Sequence, residues 1–102
     1  MSSYSLSFHS SEEVSASDRR AAEQRFRRTL DTELGDASLV WPLYSACLQI
    51  AERYGDNPDL AALTDDERSV YESWHMAHTA ALTAALGPNR YLDDAWFEIG
   101  PA

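Results

Sequence analysis

Three of the four glycines in this 102-residue chain each follow a stretch with helical periodicity. Glycine is favoured just after a helix because it adopts the left-handed backbone conformation without steric cost. The glycines therefore divide the chain into three predicted helices, at about residues 16–34, 39–54 and 65–86. A chain of this length has room for a single domain, residues 1–102, with one hydrophobic core. The glycines that end the helices are Gly35, Gly55 and Gly87.

The start of the third predicted helix carries the clearest local signal in the chain. Thr64 is followed three residues later by Glu67, which is the pattern of a capping box. Ser15 stands in the capping position before the first helix, and we expect Ser38 to cap the second. All three helices are therefore predicted to begin at a side-chain cap.

Apolar side chains are distributed differently on the three helices. The first has a narrow seam repeating every four residues, whereas the second is apolar on nearly all sides. We therefore expect the second helix to be central and covered on most sides. The third has one broad apolar arc. The seam comprises Ala22, Phe26, Leu30 and Leu34, and the arc comprises Val70, Tyr71, Trp74, Ala77, His78, Ala81, Leu82 and Ala85.

The two ends of the chain differ from the middle. Tyr4, Leu6 and Phe8 alternate with serines, and this period of two indicates a short strand. The segment 95–99 fits either a strand or a short helix, and as a strand it would pair with the N-terminal segment. The predicted fold class is mainly α, a compact three-helix bundle-like core whose terminal segments form a short β pair in the strand alternative.

The net charge is −9, and its distribution along the chain is uneven. From Thr29 onward there are 13 acidic residues against three arginines, a net charge of −10. This argues against direct nucleic-acid binding through bulk charge, which needs a basic surface. No apolar run approaches the ~20 residues of a membrane span, and the N-terminus lacks the features of a signal peptide. We expect a cytoplasmic protein that does not associate with membranes.

The sequence contains no motif that indicates catalysis or cofactor binding. There is no P-loop, no G-x-G-x-x-G, no G-x-S-x-G and no H-E-x-x-H. The single cysteine, Cys47, lies on an apolar helix face, whereas nucleophilic cysteines need an electropositive and partly exposed setting. We therefore expect a non-enzymatic protein without a cofactor.

Acidic residues near the third helix and in the tail form the most distinctive feature. If they converge in space, they form a negative surface with aromatic residues nearby, the composition of many protein interfaces. The expected function is a small bacterial or phage-type inhibitor, immunity protein or adaptor that binds a basic protein. The alternative, in which the acids only cap helices and confer solubility, stays open. The expected partner-binding residues are Asp56, Asp59, Asp65, Asp66, Glu67, Tyr91, Asp93, Asp94 and Trp96.

Two other functions are weighed against this one. Glu72 and His75 have the E-x-x-H spacing of a helical metal site, which would need an oligomer or a further ligand such as Glu52. The arginines of the first helix could serve a nucleic-acid-binding regulator, but they point in several directions. A solvated helix face, or contact with an acidic surface of the same chain or of a homodimer, is the other interpretation. These arginines are Arg19, Arg20, Arg25, Arg27 and Arg28.

Overall fold

The computed structural model of the protein describes residues 4–87 and 95–102. The described residues form a helical core with an antiparallel pair of strands made by the two chain ends, so the predicted fold class is confirmed. The elements are β1 (Tyr4–His9), α1 (Ala16–Leu34), α2 (Val40–Tyr54), α3 (Asp65–Leu86) and β2 (Trp96–Pro101), with 3-10 turns at Ala37–Leu39 and Leu60–Ala62.

The predicted caps of α1 and α3 are confirmed. The Ser15 hydroxyl accepts a hydrogen bond from the Asp18 N–H at 3.1 Å. At α3 the Thr64 hydroxyl accepts from the Glu67 N–H at 3.1 Å, and the Glu67 carboxylate accepts from the Thr64 N–H at 3.0 Å. These bonds satisfy N–H groups that have no partner within the first turn of a helix.

The predicted cap of α2 is wrong. Asp36, not Ser38, supplies the side chain, and its carboxylate accepts from the Ser38 N–H at 2.9 Å. This bond caps the 3-10 turn that precedes α2, and α2 itself begins at Val40 without a side-chain cap. An Asp side chain that accepts from the N–H two residues later forms an Asx turn, which competes with the serine cap.

The centre of the core lies between α1 and α3. Phe26 and Leu30 of α1 are completely buried, and α3 faces them with a strip of small side chains. Small residues let two helices approach closely, and the larger side chains of α1 then fill the remaining space. The strip consists of Ala77, Ala81 and Ala85.

The prediction that the second helix is central and covered on most sides is wrong. Only Val40 and Ile50 of α2 are buried, and Leu48 is 44% exposed. The alanines of α3 face α1, so α2 meets α3 mainly through bulky rings such as Tyr44 and Trp74. Large side chains at this junction hold the helices apart, and clefts remain on both sides of α2.

The paired chain ends complete the core. Phe8 lies opposite Phe97 in the strand register, and their rings meet edge to face at 5.4 Å. The Phe97 ring also stacks on Phe26 of α1, with centroids 4.2 Å apart. On the outer face, His9 stacks on Trp96 at 4.3 Å. The inner face of the strand pair is therefore part of the hydrophobic core.

We expect Phe26→Ala to lower the free energy of unfolding by about 3–5 kcal/mol, the usual cost of removing a buried aromatic side chain. Leu48→Ala, the matched change on the exposed side of α2, should cost less than about 1 kcal/mol. Urea unfolding monitored by circular dichroism measures both. Equal costs would contradict the placement of the core between α1 and α3.

Candidate functional site

Four exposed carboxylates lie between the end of α2 and the first turn of α3. The Asp59 carboxylate accepts from the Ala61 N–H at 3.0 Å, and Asp65 lies 4.0 Å from the Arg68 guanidinium. Within the described residues, Asp56 and Asp66 form no hydrogen bond or ion pair. Leu60, between these acids, is 41% exposed. We call Asp56, Asp59, Leu60, Asp65 and Asp66 the acidic surface.

Glu67 plays a different part from the other predicted partner-binding residues. Besides the Thr64 N–H, its carboxylate accepts from the Tyr54 hydroxyl and from the Arg53 guanidinium, each at 3.0 Å. Its acceptor positions are therefore engaged within the protein, and they join the end of α2 to the start of α3. Glu67 stabilises the junction beneath the acidic surface.

The hydrogen bonds to Glu67 also shift its ionisation. The Thr64 N–H holds the pKa of the Glu67 carboxyl below its usual value, and the Tyr54 hydroxyl and Arg53 guanidinium add to this against the opposing effect of desolvation. Because the folded-state pKa is depressed, the stabilisation is present above the unfolded-state pKa. It is lost as pH falls through the folded-state pKa.

The remaining predicted partner-binding residues are Trp96 and three residues that lie outside the described part of the chain. These three are Tyr91, Asp93 and Asp94. Trp96 lies on β2, is 54% exposed and stacks on His9. The acidic surface is therefore built on the elements that connect α2 and α3, whereas Trp96 belongs to the outer face of the strand pair.

An aromatic cleft of about 200 Å³ lies between α2 and α3. Tyr44 and Leu48 of α2 form one wall, and the loop after α2 contributes Asp56 and Pro58. The cleft continues into the acidic surface through Asp56, which belongs to both. The opposite wall consists of Tyr71, Trp74, His75 and His78 of α3.

The rings of the aromatic cleft pack on one another. Tyr44 contacts Trp74 at 5.2 Å between centroids, Trp74 stacks on His78 at 5.4 Å, and Tyr71 contacts His75 at 4.1 Å. Burial, with the neighbouring charge of His75 as a second cause, lowers the pKa of His78 below its usual value. The lowered pKa favours the neutral imidazole form of His78.

Cys47 lines the inner part of the same cleft. Burial raises the pKa of its thiol to about 11, so the nucleophilic thiolate is scarce at neutral pH. Its sulfur lies 3.9 Å from the Val70 carbonyl oxygen. These observations support the interpretation of Cys47 as an unreactive packing residue.

The cleft was not anticipated from the sequence, although its components are visible there. Tyr44, Cys47 and Leu48 share one face of α2, and Tyr71, His75 and His78 share one face of α3. Only the antiparallel packing of the two helices brings these faces together. The sequence signal for the cleft was these two ring-bearing faces, one with Tyr44 and one with Tyr71, joined by the short connection that carries Asp56.

A second cleft of about 420 Å³ lies on the other side of α2. Leu39 and Leu43 line it from α2 and the preceding turn, Met76 from α3 and Glu33 from α1. Met76 is 72% exposed, as its position on the polar side of the third helix predicted. Its lining is mostly apolar but also includes Glu33, Ser69 and Ser73.

The E-x-x-H pair lies on the solvent side of α3. Glu72 and His75 are exposed, and the His75 ring packs on Tyr71. Among residues 4–87 and 95–102, no group of three or more His, Cys, Asp or Glu side chains is placed to hold a metal ion. The pair therefore supplies at most two ligands from the described part of one chain.

Three of the five arginines of α1 contact other elements of the protein. Arg25 donates to the carbonyl oxygens of Ala84 and Ala85 near the end of α3, at 3.2 and 2.8 Å. The helix dipole of α3 also stabilises a positive charge at this end. Arg19 donates to the Phe8 carbonyl oxygen, and Arg27 lies over the Tyr4 ring. Three of the five guanidinium groups thus stabilise the packing of α1 against α3 and β1.

Comparison of the chain with protein-family models, with curated proteins and with solved structures finds no match. None of the described helices is both long and apolar enough to cross a bilayer. The acidic surface and the aromatic cleft are therefore the features from which a function can be inferred.

We expect Glu67→Gln to reduce the loss of stability on acidification. Wild-type protein should lose more of its free energy of unfolding than the variant does as pH falls from neutral through the depressed pKa of Glu67. Urea unfolding at a series of pH values measures this difference. Glu72→Gln, an exposed carboxylate of the same helix, serves as the control and should behave as wild type does. An identical pH dependence in all three proteins would contradict the role of Glu67.

Proposed function

We propose that this protein is a non-catalytic interaction module that binds a basic partner protein through the acidic surface and the adjoining aromatic cleft. An inhibitor, an immunity protein or an adaptor would act in this way. The observation that carries the proposal is the exposure of Leu60 among four exposed carboxylates, two of which have no partner within the described residues.

The local charge balance favours a basic partner. The nearby arginines, Arg53 and Arg68, are occupied, the first by Glu67 and the second by the Leu60 carbonyl oxygen and Asp65. Among residues 4–87 and 95–102, no cation therefore compensates the negative charge that Asp56 and Asp66 present to the solvent. Complementary charge accelerates association and selects among partners.

Apolar contact area is available next to these charges. Leu60 is exposed on the acidic surface, and Leu48 is exposed at the edge of the aromatic cleft. Interfaces combine an apolar centre with a polar rim, and their binding energy comes mostly from a few buried anchors. The acids would form the rim, and the cleft would accommodate an anchor from the partner.

We expect the triple variant Asp56→Asn, Asp65→Asn, Asp66→Asn to retain a basic partner at least about tenfold less well than wild type, which corresponds to about 1.4 kcal/mol. The immobilised protein is incubated with native cell extract at low and at high salt, and retained proteins are quantified by mass spectrometry. Retention by wild type should decrease at high salt because screening weakens charge complementarity.

The matched control is Glu12→Gln, Glu13→Gln, Glu23→Gln. It removes the same amount of charge from the N-terminal part of the chain, outside the acidic surface. Support for the proposal is a basic protein that wild type and the control retain and the triple variant loses. Equal retention by the triple variant and the control, or no retained protein at low salt, would count against it. Circular dichroism of each variant establishes that the fold is intact.

A further inference from the structure

We propose that the aromatic cleft between α2 and α3 binds the guanidinium side chain of an arginine. The inference deepens the proposed function, since the arginine would be an anchor residue of the basic partner. It depends on the ring lining, the volume and the single carboxylate of the cleft, and it is testable without knowledge of the partner.

The lining of the cleft matches the chemistry of a guanidinium group. Tyr44 and Tyr71 line it from opposite helices, and His78 contributes a ring that stacks on Trp74. A planar guanidinium stacks on aromatic faces, is more weakly hydrated than an ammonium group, and is attracted by the negative face of an aromatic ring. Rings on two walls therefore favour a flat organic cation over a compact, strongly hydrated one.

Asp56 supplies the counter-charge. Its carboxylate is exposed at the edge of the cleft and forms no hydrogen bond or ion pair within the described residues. Carboxylates accept two parallel N–H donors from a guanidinium group, which adds geometric specificity. Leu48 and Pro58, also in the lining, provide apolar contact for the methylene stem of the side chain.

The volume of the aromatic cleft fits a single side chain better than a whole metabolite. The cleft holds about 200 Å³, whereas pockets for small molecules begin at about 300 Å³. One arginine side chain, entering from a partner that contacts the acidic surface, fits this size. The cleft and the acidic surface share Asp56, so one partner can engage both at once.

The test uses capped single residues as probes for the intact protein: acetyl-arginine methylamide, acetyl-lysine methylamide and acetyl-citrulline methylamide. Citrulline has the shape of arginine without its charge. Titrations followed by two-dimensional NMR report the indole N–H of Trp74, the ring protons of His78 and the backbone amides of α2 and α3. We expect arginine to shift the signals of cleft residues saturably, lysine to bind several-fold more weakly and citrulline to produce no saturable shift.

Two variants locate the site. Asp56→Asn and Tyr71→Leu, which keeps the bulk of the side chain but removes the ring, should each weaken arginine binding about fivefold or more. Glu13→Gln removes an equal charge at an exposed position that does not line the cleft, and it should bind arginine nearly as wild type does. The NMR spectra of the variants show directly whether the fold is retained.

The outcomes separate this inference from the proposed function. No saturable shift with arginine, equal binding of lysine or citrulline, or unchanged affinity in Asp56→Asn and Tyr71→Leu would overturn the arginine site. If the triple acidic variant still loses a basic partner in that case, the proposed function stands without the anchor. If arginine binds the cleft but wild type retains no basic protein at low salt, the proposed function fails and the arginine site remains.

Discussion

The stack of Phe97 on Phe26 joins the C-terminal strand to the first helix, and the rest of the structure is arranged around it. Phe26 is completely buried between the strand pair and α3, and Phe97 in turn meets Phe8 across the strands. Two strands alone are marginally stable in water, so this packing is what holds the chain ends together. Arg25 of α1 donates hydrogen bonds to carbonyl oxygens at the end of α3 and so also stabilises the packing of these two helices.

This arrangement determines where a functional surface can form. With α1, α3 and the strands closing the main core, α2 is left as an outer helix that contacts α3 through Tyr44 and Trp74. Glu67 ties the two helices together at one end by bonds to Arg53 and Tyr54. The junction is thus fixed without being filled, and the aromatic cleft opens toward the exposed carboxylate of Asp56.

Local signals predicted the elements well, because caps, glycines and periodicity act over a few residues. The Thr64 capping box and the seam of Phe26 and Leu30 appear as expected. The position of α2 in the fold was not predictable in the same way. Its apolar side chains lie on nearly all sides, so their pattern does not indicate which neighbouring helix packs closely against it. The alanine strip of α3 packs against α1 and so leaves α2 on the outside, and only the tertiary structure shows which helix the alanines face. The aromatic cleft depends on the same packing and was missed for the same reason.

In this fold α2 is an outer helix on a stable unit of α1, α3 and the strand pair, and the α2–α3 junction stays accessible, as the proposed function requires. Native-state hydrogen exchange measured by NMR tests it most directly, because it gives an opening free energy for each amide. We expect amides of α2 to exchange through openings whose free energy is at least about 1 kcal/mol below that of buried positions in α1 and α3. Protection in α2 equal to that around Phe26 and Ala81 would contradict it.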